Sequence, residues 1–426
     1  MWPTLVASKI FKKRLGSSDF IADYPSYNGP LLGIVDIDHN SRTILNDHKD
    51  TQKYKVFVST WNLGGIAPDE DLNLDELLET CNNTCDIYIL GFQEIVPLKA
   101  SNVLGSENNE ITTKWNSIIR EALNKRDKAE GRKQNICPNK DENSAKYFEA
   151  TQDFECIISK QMVGIFISVW TRGDLRPFIR HPSVSCVGCG IMGCLGNKGS
   201  VSVRFQLHET SFCFVCSHLA SGGREGDEKY RNSNVAEIFT RTSFPRGPLL
   251  DLPKTILDHD HVILLGDLNY RISLPEETTR SLVENRDWDS LLENDQLMIE
   301  LTSGNMLRGW KEGAIKFAPT YKYCPNSDIY YGCCYQGKRA EKKRAPAWCD
   351  RIVWYGKGLK QLEYCRIESK LSDHRPVKAM FTAEVRVLPE LKSLHSFFLS
   401  ERFDPIKTTL STTDEFVCTK RSSFRL

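Results

Sequence analysis

The sequence predicts an α/β protein, a layered sandwich, and three observations lead to that class. From Tyr54 onwards the chain carries short apolar runs rich in β-branched and aromatic residues: YKVFVSTW, DIYILGF, MVGIFISVW, GSVSVRFQL, SFCFVCSHL and HVILLGD. Each has the length of one strand and is bounded by polar or turn-forming residues. Helical periodicity occurs between only some of them, which argues against a regular alternation of strand and helix. No internal repeat suggests a solenoid instead.

Taken in order, residues 1–50 are an N-terminal extension and linker. Trp2, Leu5, Val6 and Ile10, with Lys9, Lys12, Lys13 and Arg14, fit a short basic amphipathic helix of the kind that lies on an anionic membrane surface. The plainer reading, a helix docked on the domain or a frayed tail, is favoured. Residues 21–50, rich in Asp, Asn, Gly and Pro, read as a polar linker. The main domain is predicted over 51–390. In it Val201, Val203 and Phe205 share one face, as in a half-buried strand, whereas ILLG is apolar on both faces and suits a central strand. LNLDELLETC and TKWNSIIREALNKRDK are predicted helices, the first with Leu72, Leu77, Leu78 and Cys81 on a face, the second with Trp115, Ile118, Ile119, Ala122 and Leu123. Lys125–Lys146, charged and rich in Asn, reads as an exposed insertion. Residues 391–426 lose the strand pattern and read as a C-terminal tail.

Composition narrows the function classes. The 56 basic and 55 acidic residues leave a net charge of +1, so the bulk positive field of a general nucleic-acid binder is missing. Basic islands at Lys9–Arg14, Lys338–Arg344 and Lys420–Arg425 direct the search for anionic ligands to local contacts. No apolar run approaches the roughly 20 residues of a membrane span. The N-terminus lacks the apolar core and small-residue cleavage site of a secretory signal. The 15 cysteines therefore read as thiols of a reduced intracellular protein, some inside strand-like runs (Cys213, Cys216). The spacing Cys186-x2-Cys189-x4-Cys194 lacks a second matching pair and reads as structural thiols near a turn, not as zinc ligands. A cytoplasmic location is expected, with peripheral membrane sites and the nucleus as further destinations.

Polar groups follow four of the strand-like runs at once: Asn62 after YKVFVSTW, Glu94 after DIYILGFQ, His218 after SFCFVCS, and Asp267 with Asn269 after HVILLG. Strand ends converge at the rim of a sheet, where α/β proteins commonly place their sites. One such residue usually just caps a turn; four clusters, together with Asp373-His374, point to a site. Carboxylate and amide oxygens without paired Cys or His suit a hard cation such as Mg2+. Asp267 and Asn269, two apart on an extended chain, are expected to point the same way, one taking a proton from water while the other aligns it. His218 and His374 can donate to phosphoryl oxygens, and a carboxylate behind a His fixes its tautomer. Together these residues describe water attacking a phosphoester beside a metal. In Pro319–Asp350 a basic run lies among Tyr321, Tyr323 and Trp348, which marks it as a recognition element for anionic phosphate. Gly193–Ser200 (GCLGNKGS) lacks the adjacent Gly-Lys-Ser/Thr of a nucleotide-binding loop, which excludes a nucleotide-driven motor.

WNLGG, GFQE, GNKGSV, SHLASG, GDLNYR, PTYKY, KKRAPAWCDR and SDHRPV, in this order, resemble the inositol polyphosphate 5-phosphatases, a branch of the magnesium-dependent endonuclease/exonuclease/phosphatase superfamily. The resemblance runs from about Tyr54 to Phe381, and NVLGSEN, SKQMVGIFISVW and SCVGCGIMG resemble the plant members in particular. It implies a four-layered α/β/β/α sandwich of two mixed sheets. It also implies a Mg2+-dependent hydrolase, monomeric and without a nucleic-acid partner. The implied substrates are phosphoinositides (phosphatidylinositol 4,5-bisphosphate and 3,4,5-trisphosphate) and/or soluble inositol phosphates (inositol 1,4,5-trisphosphate and 1,3,4,5-tetrakisphosphate), each losing its 5-phosphate. Carried onto this sequence, Glu94 would be the main Mg2+ ligand, with Asn62 nearby and Asp373 next to the metal. Asp267 would activate the attacking water and Asn269 position it. His218 would contact the scissile phosphate, and His374, paired with Asp350, would stabilise the phosphoryl group. Tyr321, Lys322, Lys342 and Arg344 would read the neighbouring 4-phosphate, and Asn197 joins the substrate-binding set.

The sequence departs from the common pattern at Cys333 and Cys334, within the basic loop, and at Gly222 and Gly223, which are expected to loosen the loop after His218. Two rival readings remain. A nuclease of the same superfamily would need a broad basic DNA-facing surface. A silent phosphoinositide-binding adaptor would need losses at Glu94, Asp267, Asn269 or His374, and all four are present.

Overall fold

A computed structural model describes residues 50–69, 72–78, 85–105, 107, 109–125, 153–246, 252–303, 306–332 and 344–387. The basic N-terminal segment, the linker up to residue 49, all but the first residue of the charged insertion, Cys333, Cys334, Lys342 and the C-terminal tail lie outside the described residues. In chain order the strands are β1 (Asp50–Asn62), β2 (Ile87–Gln93), β3 (Phe154–Met162), β4 (Ile165–Arg172), β5 (Ile179–Gly188) and β6 (Gly199–Leu207). They continue with β7 (Thr210–His218), β8 (His261–Asp267), β9 (Lys311–Glu312), β10 (Asp350–Tyr355), β11 (Leu359–Arg366) and β12 (Val377–Val387).

Among the described residues these strands make two six-stranded sheets, ordered β11-β12-β1-β2-β4-β3 and β5-β6-β7-β8-β10-β9. Each sheet is mixed: a parallel pair sits at its centre, β1 with β2 and β7 with β8, and the neighbours are antiparallel. The first and last strands of the domain are partners, in register from Asp50 opposite Val387 to Thr60 opposite Val377. Parallel pairing also brings C-terminal strand ends together. Asn62 lies opposite Gln93 in one sheet, and His218 opposite Asp267 in the other.

Strand alternation then sorts the side chains into layers. Val56, Val58, Ile87, Ile89, Ile165 and Ile167 of one sheet pack with Val201, Val203, Phe212, Phe214, Ile263 and Leu265 of the other. The out-of-phase residues Phe57, Tyr88, Leu90, Phe92 and Trp170 meet Trp115, Ile119 and Leu123 of the helix Glu110–Leu123. Across the molecule Cys213, Val215, Val262 and Leu264 meet Val235 and Ile238 of the helix Glu228–Arg241 and Leu297 of the helix Gln296–Ser303. The result is helix, sheet, sheet, helix, the four-layered sandwich expected. HVILLG is apolar on both faces because both its faces are covered.

The first expected helix is described only over Asp75–Leu78, and Cys81 lies outside the described residues. The loop after His218, expected to be loosened by Gly222 and Gly223, is tied down at Gly222. Gly222 has φ 142°, and a Cβ there would run into the Asp227 carboxylate. Asp227 Oδ2 accepts the Arg224 amide at 2.9 Å, and Arg231 donates to the Gly222 carbonyl at 3.2 Å. Glycine is needed here because the turn is tied down. Among the described residues no helix is long and apolar enough to cross a membrane.

Candidate active site

The two sheets deliver their polar ends to one place. Asn62 closes β1 and its Nδ2 donates to Asp267 Oδ2, at the end of β8, over 2.9 Å. The same oxygen lies 3.2 Å from His218 Nε2, the last residue of β7. Asp267 Oδ1 accepts the Asn269 amide at 3.1 Å. Both carboxylate oxygens are thereby fixed in a buried site. Gly266 allows it: φ is 148°, and a side chain there would collide with the Ser217 carbonyl of the adjacent strand. Burial pushes the Asp267 carboxyl up, but the hydrogen bond and charge of His218, with the charges of His374 and Lys198, outweigh it and hold the group well below the usual carboxylate range.

Glu94, just beyond β2, keeps a half-buried carboxylate whose Oε1 lies 3.7 Å from His218 Nε2. Lys198 Nζ is hydrogen-bonded to that same His218 nitrogen. Burial pushes the Lys198 ammonium down to about 8, against the pull of Asp267 and Glu94. Burial, and after it the charge of Lys198, push the His218 imidazole down, against the pull of Asp267 and Glu94. Asn197 was the residue of GNKGS singled out from sequence. In the structure its Oδ1 is turned onto the Gly190 loop and accepts the Ile191 amide at 3.4 Å. Its neighbour Lys198 is the residue that enters the site.

Asp350 opens β10 directly opposite Asp267 on β8. Its Oδ2 accepts Nδ1–H of His374 at 2.8 Å and the Thr320 hydroxyl at 2.7 Å. Burial pushes the His374 imidazole down, but the charge and hydrogen bond of Asp350, then Asp267 and Asp373, raise it to about 9. His374 is therefore an imidazolium at neutral pH, with Nδ1 committed to Asp350 and Nε2–H as its remaining donor. The Tyr321 ring packs against it, centroids 4.5 Å apart.

One geometric expectation is corrected. Asp267 and Asn269 do not share an extended strand: β8 ends at Asp267, and Asn269 is left-handed, with φ 58°. A turn closed by the Asn269 amide on Asp267, not strand alternation, brings the pair together. The Asn269 amide group is also pinned on both ends. Oδ1 accepts Arg271 Nη2 at 2.6 Å, and Nδ2 donates to the Leu219 carbonyl at 3.1 Å. Arg271, whose guanidinium lies 4.6 Å from the centroid of the Tyr321 ring, was not visible as a site residue from sequence. Arg271 thereby occupies one lone pair of Oδ1, and Nδ2 keeps one N–H beyond its bond to Leu219.

Lys322 Nζ pairs with Asp373 Oδ2 at 2.7 Å, so two residues assigned to phosphate and to metal hold each other here. Arg344 is half-buried and its charge reaches Tyr321 and Lys322. Among the described residues Asp267, Asp350 and His374 form the one group of possible metal ligands whose ligand atoms lie within 4.8 Å of one another. A protonated His374 bound to Asp350 makes that group an ion-pair network rather than a cation cage. The other side of the site suits a hard cation better: Glu94 brings a carboxylate to the His218 nitrogen that also faces Asp267, and Glu94 and Asp267 already stabilise the Lys198 ammonium; Asn62 turns Nδ2 to Asp267 while its Oδ1 accepts the Gly64 amide at 2.9 Å.

Residues 59–380 match the model of Endonuclease/Exonuclease/phosphatase family 2. The chain is 64% identical to the type IV inositol polyphosphate 5-phosphatase 9 of Arabidopsis thaliana, over 95% of this chain and 96% of that one. It is 46% identical to the type I inositol polyphosphate 5-phosphatase 8 of the same plant, over 90% and 86%. Among solved structures it resembles the inositol polyphosphate 5-phosphatase domain of SPsynaptojanin, crystallised with inositol (1,4)-bisphosphate and calcium ion. That match has a TM-score of 0.65 and 29% identity and covers 82% of this chain and 90% of that one. A Cimex nitrophorin in its ferrous NO complex also matches, at a TM-score of 0.54 and 18% identity, over 78% of this chain and 99% of that one. That likeness concerns the fold alone, and a shared sandwich does not carry a shared chemistry. From its motifs, fold and relatives together, the chain belongs to the inositol polyphosphate 5-phosphatases of the endonuclease/exonuclease/phosphatase family, alongside the plant members, and is a phosphoric monoester hydrolase.

Proposed function

We propose that the chain removes the 5-phosphate from phosphoinositides and soluble inositol phosphates in a Mg2+-dependent reaction with water. The observation that supports it most is the pair of opposed groups at the meeting point of the sheets: an ionised Asp267 and a cationic His374 backed by Asp350. Asp267 is a weak base in this setting, so it orients water by accepting its hydrogen bond and takes the proton as the new O–P bond develops. His374 offers its Nε2–H and positive charge to the phosphoryl oxygens, and Asn269 offers its N–H. Glu94, with Asn62 beside it, would hold Mg2+, which when bound supplies positive charge to the phosphoryl oxygens. The bond from phosphorus to the 5-oxygen breaks as the new one forms, the leaving oxygen takes a proton from solvent, and the products are inorganic phosphate and the 5-hydroxyl. Lys322 and Arg344 are the residues we assign to the neighbouring 4-phosphate, since an ammonium and a planar guanidinium suit a dianion.

Phosphate release from phosphatidylinositol 4,5-bisphosphate and inositol 1,4,5-trisphosphate, measured with Mg2+ and with EDTA, tests this directly. Release from both with Mg2+ and none with EDTA is expected. No release from either substrate overturns the reading, and release indifferent to EDTA overturns its metal. For the recognition loop, Arg344→Ala should raise KM for 4-phosphate substrates about tenfold or more, the size of a lost charged hydrogen bond. A substrate without that group should be little affected, and equal loss on both would remove Arg344 from the recognition set.

A further inference from the structure

Arg280 belongs to none of the site motifs. It lies on the helix Glu276–Glu284, one turn beyond Glu276, whose Oε1 accepts its Nε at 2.9 Å. That contact turns the guanidinium so that Nη2 donates to two backbone carbonyls, Tyr331 O at 2.7 Å and Arg344 O at 3.1 Å. The two acceptors are distant in sequence, one following the PTYKY stretch and the other closing the basic run. The Tyr331 amide in turn donates to Lys322 O at 2.7 Å, and the Lys322 ammonium lies 5.3 Å from the centroid of the Tyr331 ring. A Cβ at Gly332, where φ is 94°, would come within 2.8 Å of Arg280 Nη2, so a larger residue there would push the guanidinium aside. One guanidinium is thus the shared partner of the stretch that carries Lys322 and of Arg344. Among the described residues its partners include two carbonyls and Glu276, contacts that orient the chain.

We propose that Arg280 is a positioning residue for specificity: it clasps the two ends of the recognition loop and holds Lys322 and Arg344 at the spacing of one phosphate. This rests on the reading that those two residues contact the phosphate beside the scissile one. A surface ion pair with Glu276 alone would leave substrate choice untouched. The proposal instead predicts a split between KM and kcat.

The test uses the full chain with inositol 1,4,5-trisphosphate and, as the substrate lacking the 4-phosphate, inositol 1,5-bisphosphate. Arg280→Ala should raise KM for the trisphosphate about tenfold with kcat within about twofold, and leave the bisphosphate within about twofold. Arg280→Lys should restore only part, because an ammonium does not fork between two carbonyls while facing Glu276. In an Arg344→Ala background, Arg280→Ala should add less than about threefold, since it acts through Arg344. Glu276→Gln keeps the guanidinium but frees its direction; it should give the same selective shift at about threefold, and it serves if Arg280→Ala fails to fold. Equal KM increases on both substrates, or full additivity with Arg344→Ala, overturn the proposal. A wild-type chain that hydrolyses neither substrate, or an Arg344→Ala variant that loses both equally, overturns the underlying reading instead.

Discussion

Asp267→Ala should lower kcat by about three orders of magnitude while KM changes little, because the lost group acts on the attacking water and not on the bound ground state. The structure gives this prediction its size. Asp267 is ionised, both of its oxygens are fixed by Asn62, His218 and the Asn269 amide, and no other described carboxylate shares that set of partners. Alanine removes the acceptor and also the counter-charge that Lys198, His218 and His374 all face. Asp267→Asn separates the two effects: it keeps an oxygen for the Asn269 amide but cannot take a proton, so it should be nearly as inactive. A thermal melt confirms that each variant is folded. A rise in KM with kcat intact would show that Asp267 binds substrate rather than acting on water.

Asp350→Asn should cost about two to three orders of magnitude in kcat and also move the pH profile. His374 sits above its ordinary 6.5, at about 9, and the Asp350 charge and hydrogen bond are the largest causes that raise it. Because the folded value lies above the unfolded one, the pair contributes stability that is fully present below about pH 6.5 and is lost as pH rises through about 9. Activity that needs the imidazolium should fall over the upper end of that window in the wild type. In Asp350→Asn the fall should move toward neutral pH. A basic limb that stays in place would mean that His374 does not work as the imidazolium, or that Asp350 does not set its charge.

The frame of the molecule was legible in the sequence because strand alternation is a local signal. Val201, Val203 and Phe205 had to share a face whatever lay opposite, and HVILLG could only be central. The strand-end residues Asn62, Glu94, His218 and Asp267 were legible for the same reason, whereas the pairing of Asp350 with His374 came only through family resemblance. What stayed hidden depends on partners remote in sequence. Arg271 closes the GDLNYR motif and reaches Asn269 locally, but only the fold sets it over the Tyr321 ring; nothing local distinguishes Arg280 from a surface cation until the fold brings it to the Tyr331 and Arg344 carbonyls. The described part of the recognition loop is similar. Tyr323 and Tyr330 stack with centroids 4.4 Å apart, and the guanidinium of the distant Arg375 covers Tyr323 at 3.9 Å. The Asn269 turn was misjudged because a left-handed residue leaves no mark on a hydrophobic pattern.

The partnership of β1 with β12 has a consequence for how the enzyme comes into being. The strand that opens the domain cannot be flanked on both sides until the strand that closes it has been made, so one of the longest loops in the fold must close before the first sheet is whole. His374 lies just ahead of that closing strand, and Asp350 not far before it. A chain still emerging from the ribosome therefore lacks the cationic half of its chemistry for as long as it lacks a complete sheet. Architecture and activity are finished by the same stretch of the chain, His374 to Val387, and termination ahead of it yields neither.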